Sequence, residues 1–175
     1  MSKLTRAVLS VVVAVAGSAG SLAPAQAAIL GPEAAACAPG AERPALLVSI
    51  DGFKARTGDL RVQLYGPNPD DFLAKGKKMK RIEMPVSANG AMEVCVALPA
   101  PGNYAIAVRH DVDGSGKSNW NDGGGFSRNP KLSLLSLKPD YDKVVVHNEN
   151  GVKRVPVTMQ YRQGFSIGPI AMASR

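Results

Sequence analysis

The chain has 175 residues, 45% of them hydrophobic and 20% charged, with a formal net charge of +7 and two cysteines. That is enough for one domain with its own core. The positive balance suits solubility and some attraction to polyanions, but it is not the concentrated basic footprint of a nucleic-acid-binding protein.

Lys3 and Arg6 precede an apolar run from Ala7 to Gly20, which is followed by Pro24 and then Ala25-Gln26-Ala27. This order reads as a secretory signal peptide over residues 1–27, cleaved after Ala27. The run is shorter than the ~20 residues a spanning helix needs, and Cys37 stands too far behind it for a lipid anchor. No later segment is long and apolar enough to span a bilayer. Loss of Lys3 and Arg6 takes the formal charge from +7 to +5. The expected product is exported, periplasmic or extracellular, and away from nucleic acid. In that oxidising setting Cys37 and Cys95 are expected to pair.

Residues 28–44, rich in Ala, Pro, Gly and Glu, read as a flexible N-terminal arm, and 45–175 as a single domain. Short segments of period-two alternation then follow, each bounded by Gly, Pro, Asn or Asp. ALLVSIDGF sets Leu46, Val48 and Ile50 on one face, and GDLRVQLY sets Leu60, Val62 and Leu64 opposite Arg61 and Gln63. Both read as half-buried strands. RIEMPV carries Pro85, which points to a sheet edge. Asn89-Gly90 is a hairpin turn signal ahead of AMEVCVAL. NYAIAVRH sets Tyr104, Ile106, Val108 and His110 on one side. KVVVHN and VKRVPVTMQY, separated by Glu149-Asn150-Gly151, read as a last hairpin with Val155, Val157, Met159 and Tyr161 inward.

The expected fold is all-β: an antiparallel sandwich of immunoglobulin-like or prealbumin-like type, with about seven strands and one long acidic Gly-rich loop. That loop is HDVDGSGKSNWND, His110 to Asp122. Asp111, Asp113, Ser115, Gly116 and Asp122 fall where the calcium-loop pattern D-x-[DN]-x-[DN]-G-x5-E places its residues, with Ser for Asp or Asn and a final Asp for Glu. A hard cation takes oxygen ligands converging on a point, and a Gly permits the bend that lets alternate side chains do so. The expected ligands are Asp111, Asp113, Ser115, the Lys117 carbonyl, Asn119 and Asp122, holding a weak structural calcium ion. The other reading is a loop closed by its own side chain to backbone hydrogen bonds. No helix flanks it, so it is not an EF-hand switch. Trp120 either caps the core or forms part of a binding face.

Catalytic motifs are thin. Gly164-Phe165-Ser166-Ile167-Gly168 matches the G-x-S-x-G elbow of α/β-hydrolases, but no acid or His follows it. His110 beside Asp111 lacks the further His or Cys ligands of a zinc or copper site. Lys75, Lys77, Lys78, Lys80 and Arg81 form a basic run that either is a solvated loop or touches an anionic polymer or lipid.

LRVQLYGPNPDDF, LPAPGNYAIAVRHDVDGSGKSNWND, GGGFS and a closing V-x-V-x-M-x-Y strand together resemble the bacterial exported family catalogued as domain of unknown function 2141, over roughly Ala45 to Tyr161. The resemblance implies an exported β-sandwich without an assigned activity. Here Asp122 runs almost directly into Gly123–Ser127, shorter than the family's pattern, and this removes one possible acidic ligand. Three functional classes remain. The leading one is a non-catalytic module binding an envelope component or partner protein. The others are a polyanion- or lipid-binding protein acting through residues 75–81, and an enzyme at the strand end carrying His110, Asp111 and Asp113.

Overall fold

The computed structural model describes residues 27–170. The leader read at 1–27 therefore lies, but for its last residue, outside the described residues. Among the described residues eleven strands form: β1 (Ile29–Leu30), β2 (Ala45–Asp51), β3 (Asp59–Tyr65), β4 (Lys80–Pro85), β5 (Met92–Ala97), β6 (Gly102–Asp111), β7 (Gly123–Phe126), β8 (Val146–Asn148), β9 (Val152–Thr158), β10 (Gln160–Gln163) and β11 (Ser166–Pro169). They make two sheets, one in the order β1-β5-β2-β9 and one in the order β11-β10-β7-β6-β3-β4, with β8 added on β6. The molecule is a β-sandwich. Most pairs are antiparallel, but β1 pairs β5 and β2 pairs β9 in parallel.

The alternating residues meet between the sheets. Leu46, Val48 and Ile50 face Leu60, Val62 and Leu64, with Val94, Ile106, Val108, Val155, Val157, Met159 and Tyr161 in the same cluster. Each such side chain contributes about 1.5–3 kcal/mol by leaving water. Pro85 ends β4, an edge strand, where its missing N–H breaks no ladder.

Both expected hairpins are absent. Asn89-Gly90 does turn the chain, with Gly90 at φ 70°, but β4 lies in one sheet and β5 in the other. The turn after β8 likewise delivers β9 to the opposite sheet, while β8 pairs β6. A turn residue dictates reversal, not pairing. The partner is chosen by which strand leaves least apolar surface in water, and MEVCVA is buried on both faces. VKRVPVTMQY is also two strands rather than one, because the chain crosses between sheets at Met159.

β2 is not half-buried, since Ala45 and Leu47 on its outer face are covered as well. The cover is the segment expected as an arm. Ile29 and Leu30 extend the sheet beside β5. Glu33 accepts the Ala97 backbone N–H at 2.8 Å and pairs with Lys80. Cys37, at the end of a short 3-10 turn (Ala34–Cys37), is disulfide-bonded to Cys95. Cys37, Ala45, Leu47 and Cys95 form a second small core beneath it.

Candidate functional site

β6 and β7 position the acidic loop. Adjacent residues of a strand point to opposite faces, so His110 turns into the core and Arg109 and Asp111 turn outward. The register sets Leu60, His110, Gly123 and Tyr161 in one row across β3, β6, β7 and β10. Tyr161 lies over Gly123, where a Cβ would meet its ring carbon Cε1 at 2.3 Å. The missing side chain lets the Tyr161 hydroxyl reach His110 Nδ1 at 2.6 Å, while His110 Nε2 lies 2.8 Å from the Thr57 carbonyl. Since a carbonyl only accepts, Nε2 carries the proton and Nδ1 accepts from the tyrosine. Burial holds the His110 pKa below its ordinary value and pushes the Tyr161 hydroxyl up to about 12. His110 is thus a satisfied, neutral core histidine facing away from Asp111, and the two do not form one reacting pair.

Of the expected cation ligands, the structure brings Asp111, Asp113 and Asp122 together, with one oxygen from each within 4.8 Å of the others. These three have the ligand atoms and spacing to hold a metal ion. The other three are turned to the loop's own bonds. The Ser115 hydroxyl donates to the Lys117 carbonyl at 3.2 Å. Asn119 donates its amide N–H to Asp113 at 3.0 Å and accepts the Asn121 backbone N–H at 2.8 Å. The self-bonded reading of the loop is therefore present in the geometry: the Ser115 and Gly116 N–H groups donate to Asp111, and those of Val112 and Asn119 to Asp122. Hydrogen bonds from Ser115 hold the Asp113 carboxyl below its usual range.

Sequence reasoning overlooked Arg109. Its guanidinium donates to Asp122 Oδ2 from Nε (3.2 Å) and Nη2 (2.9 Å), and to Asp111 Oδ2 at 3.2 Å. Its place two residues before Asp111, on the same face of one strand, was the available signal. One cation among three carboxylates leaves two negative charges, which a divalent cation would neutralise.

The remaining candidates lie apart. In the basic run Lys77 pairs with Asp71, Lys80 with Glu33 and Arg81 with Glu83, which leaves Lys75 and Lys78 without a carboxylate partner among the described residues. Ser166 of the G-x-S-x-G match sits at the β10–β11 hairpin, with its hydroxyl donated to the Gln163 carbonyl.

Beside the acidic loop, on the outer face of the larger sheet, lies a depression of about 190 Å3 lined by Trp120, Asp122, Gly124, Leu132, Gln160 and Arg162, among others. No helix of the described residues is long and apolar enough to cross a membrane. No curated protein and no solved structure matches the chain. The family model described as "Uncharacterized protein conserved in bacteria (DUF2141)" matches residues 48–156, and the chain belongs to that family.

Proposed function

We propose that this protein is an exported, non-catalytic binding module whose loop end is locked by a structural calcium ion at Asp111, Asp113 and Asp122, and that this end meets an envelope component or partner protein. The observation that carries the reading is the convergence of three carboxylates on one cation, Arg109. Calcium supplies the two missing positive charges and accepts the irregular oxygen geometry of such a loop. The ion's role is mechanical: it holds residues 112–122, nearly all of them exposed, against the sheet. The disulfide and the leader-like N-terminus support the exported setting.

With few side chain oxygens and a short final Asp, the dissociation constant falls on the order of 0.1–1 mM. At 10 mM calcium that stabilises the fold by about 1.4–2.7 kcal/mol, roughly 3–10 °C in melting midpoint. The test is thermal unfolding in 10 mM calcium and in chelator, for the protein and for Asp111→Asn/Asp113→Asn. A calcium-dependent rise that the variant lacks is expected. Identical midpoints with calcium and chelator would leave the loop as a self-bonded turn.

A further inference from the structure

β7 contains three consecutive glycines, and only two are explained by packing. A Cβ on Gly123 would strike Tyr161 at 2.3 Å, and one on Gly125 would strike Val157 Cγ1 at 2.6 Å. A Cβ on Gly124 would meet only the Val108 carbonyl oxygen, at an ordinary 3.9 Å, and the residue has no positive φ. Nothing in the fold demands glycine there. With no bulge or positive φ to account for it, a strand glycine with open space above it leaves room for another molecule to approach the backbone.

Gly124 is the floor of the depression beside the acidic loop and also of a second one, about 220 Å3, lined further by Gln63, Leu73 and Ser118. Asp122, Gly124 and Phe126 are common to both, so the two adjoin across β7 as the two halves of a groove with Gly124 between them. On the first side stand Trp120, 71% exposed, and Leu137, 50% exposed. Arg162 stacks its guanidinium 4.2 Å from the Trp120 ring centroid and donates Nε to the Gly164 carbonyl. Its terminal nitrogens have no ion-pair partner among the described residues. The other polar groups are already engaged: Asp122 Oδ2 takes three donors, and Gln160 bonds Leu132 N and Pro130 O. The groove therefore presents one unsatisfied cation, one flat aromatic side chain and a bare backbone floor.

We propose that this groove binds a carboxylate carried on a single six-membered ring. Arg162 takes the carboxylate through its terminal nitrogens, and Gly124 supplies the floor for the ring beside Trp120, one face of which the guanidinium already covers. Asp122 on the same wall opposes any anion in proportion to its charge, so a singly charged carboxylate is opposed less than a doubly charged phosphate. The volume corresponds to about six waters at ~30 Å3 each, which suits one ring rather than a peptide segment. Such a ring occurs in uronic acid sugars and in alicyclic or aromatic acids, and the second half of the groove has room for the next unit of an acidic glycan. Trp120 and Asp122 belong to the loop that the calcium reading holds against the sheet, so the titrations are run both in 10 mM calcium and in chelator, and ring-acid binding in either condition supports the proposal.

Trp120 is the protein's one tryptophan, so its fluorescence reports this groove alone. The experiment titrates the protein with sodium glucuronate and with cyclohexanecarboxylate, beside glucose (a ring without the charge) and acetate (the charge without the ring). A saturable change with at least one ring acid, at a dissociation constant on the order of 1 mM, is expected. Which acid binds separates the sugar source from the apolar one. Arg162→Gln should weaken binding about tenfold or more. Gly124→Leu should abolish it with the melting midpoint unchanged, since its side chain projects into open groove. Absence of a saturable response to both ring acids, an acetate response equal to theirs, or undiminished binding by folded Gly124→Leu would each overturn the proposal.

Discussion

Replacing both cysteines by alanine measures what the N-terminal segment contributes to the domain. Cys37 and Cys95 are separated by 58 positions and stand 5.8 Å apart at Cα. In the chain-entropy model, closing a loop of that length removes roughly 14 cal/mol/K from the unfolded ensemble, about 4 kcal/mol at 25 °C. The bond also holds down a cover whose other attachments are few, chiefly the two-residue β1 strand and the Glu33 contacts to Ala97 N and Lys80. Cys37→Ala/Cys95→Ala should therefore lose about 4 kcal/mol in urea unfolding followed by circular dichroism, roughly 8–16 °C in midpoint. The m-value should rise, because the unfolded chain expands when the cross-link is gone. Amide exchange at Ala97, whose N–H is held by Glu33, should quicken more than at Ile106 in the core. A loss under about 1 kcal/mol with unchanged Ala97 exchange would mean that the segment holds its place without the bond, contrary to this prediction.

The buried imidazole of His110 sets a pH dependence. Its folded pKa lies below its ordinary value, so the unfolded state takes the proton first; the stability is full above about pH 6.5 and declines as pH falls below it. Melting midpoints from about pH 7.5 to 5 should drop, and His110→Gln should flatten that slope; a wild-type midpoint indifferent to pH over this window would sink the assignment. Within β7, Gly123→Ala should cost about 1–3 kcal/mol by overpacking against Tyr161, while Gly124→Ala stays within about 0.5 kcal/mol. Equal effects at the two positions, read by chemical denaturation, would contradict the placement of Tyr161 over Gly123.

Much of the sandwich was legible because period two is a direct report of which face is buried. Leu60, Val62 and Leu64 alternate with Arg61 and Gln63 in the sequence, and the structure buries the leucines and valine. Strand partnership was not legible. Gly90 and Gly151 both announce turns, yet each turn joins strands of different sheets, because pairing is decided by residues distant in sequence. The outer face of β2 was misread for a similar reason: Leu47 looks solvent-facing until the Cys37 segment is laid over it. In the loop, spacing located the carboxylates of Asp111, Asp113 and Asp122, since a tight turn gathers alternate residues whatever fills the centre. Arg109 could have been read from its place two residues before Asp111 on the same strand face, whereas spacing says nothing of Arg162, which reaches the loop from β10. Gly124 escaped notice because a glycine whose reason lies outside the chain looks in sequence like its two structural neighbours.

A calcium ion held by the acidic loop is tested most directly by equilibrium calcium binding to the protein, read beside Arg109→Gln and Asp111→Asn/Asp122→Asn. One ion per chain is expected, with a dissociation constant on the order of 0.1–1 mM, no binding in the double aspartate variant, and tighter binding in Arg109→Gln, because the guanidinium that competes for Asp111 and Asp122 is gone. Absence of binding at millimolar calcium in both the protein and Arg109→Gln would contradict that expectation, and would make Arg109 the cation this loop was built around.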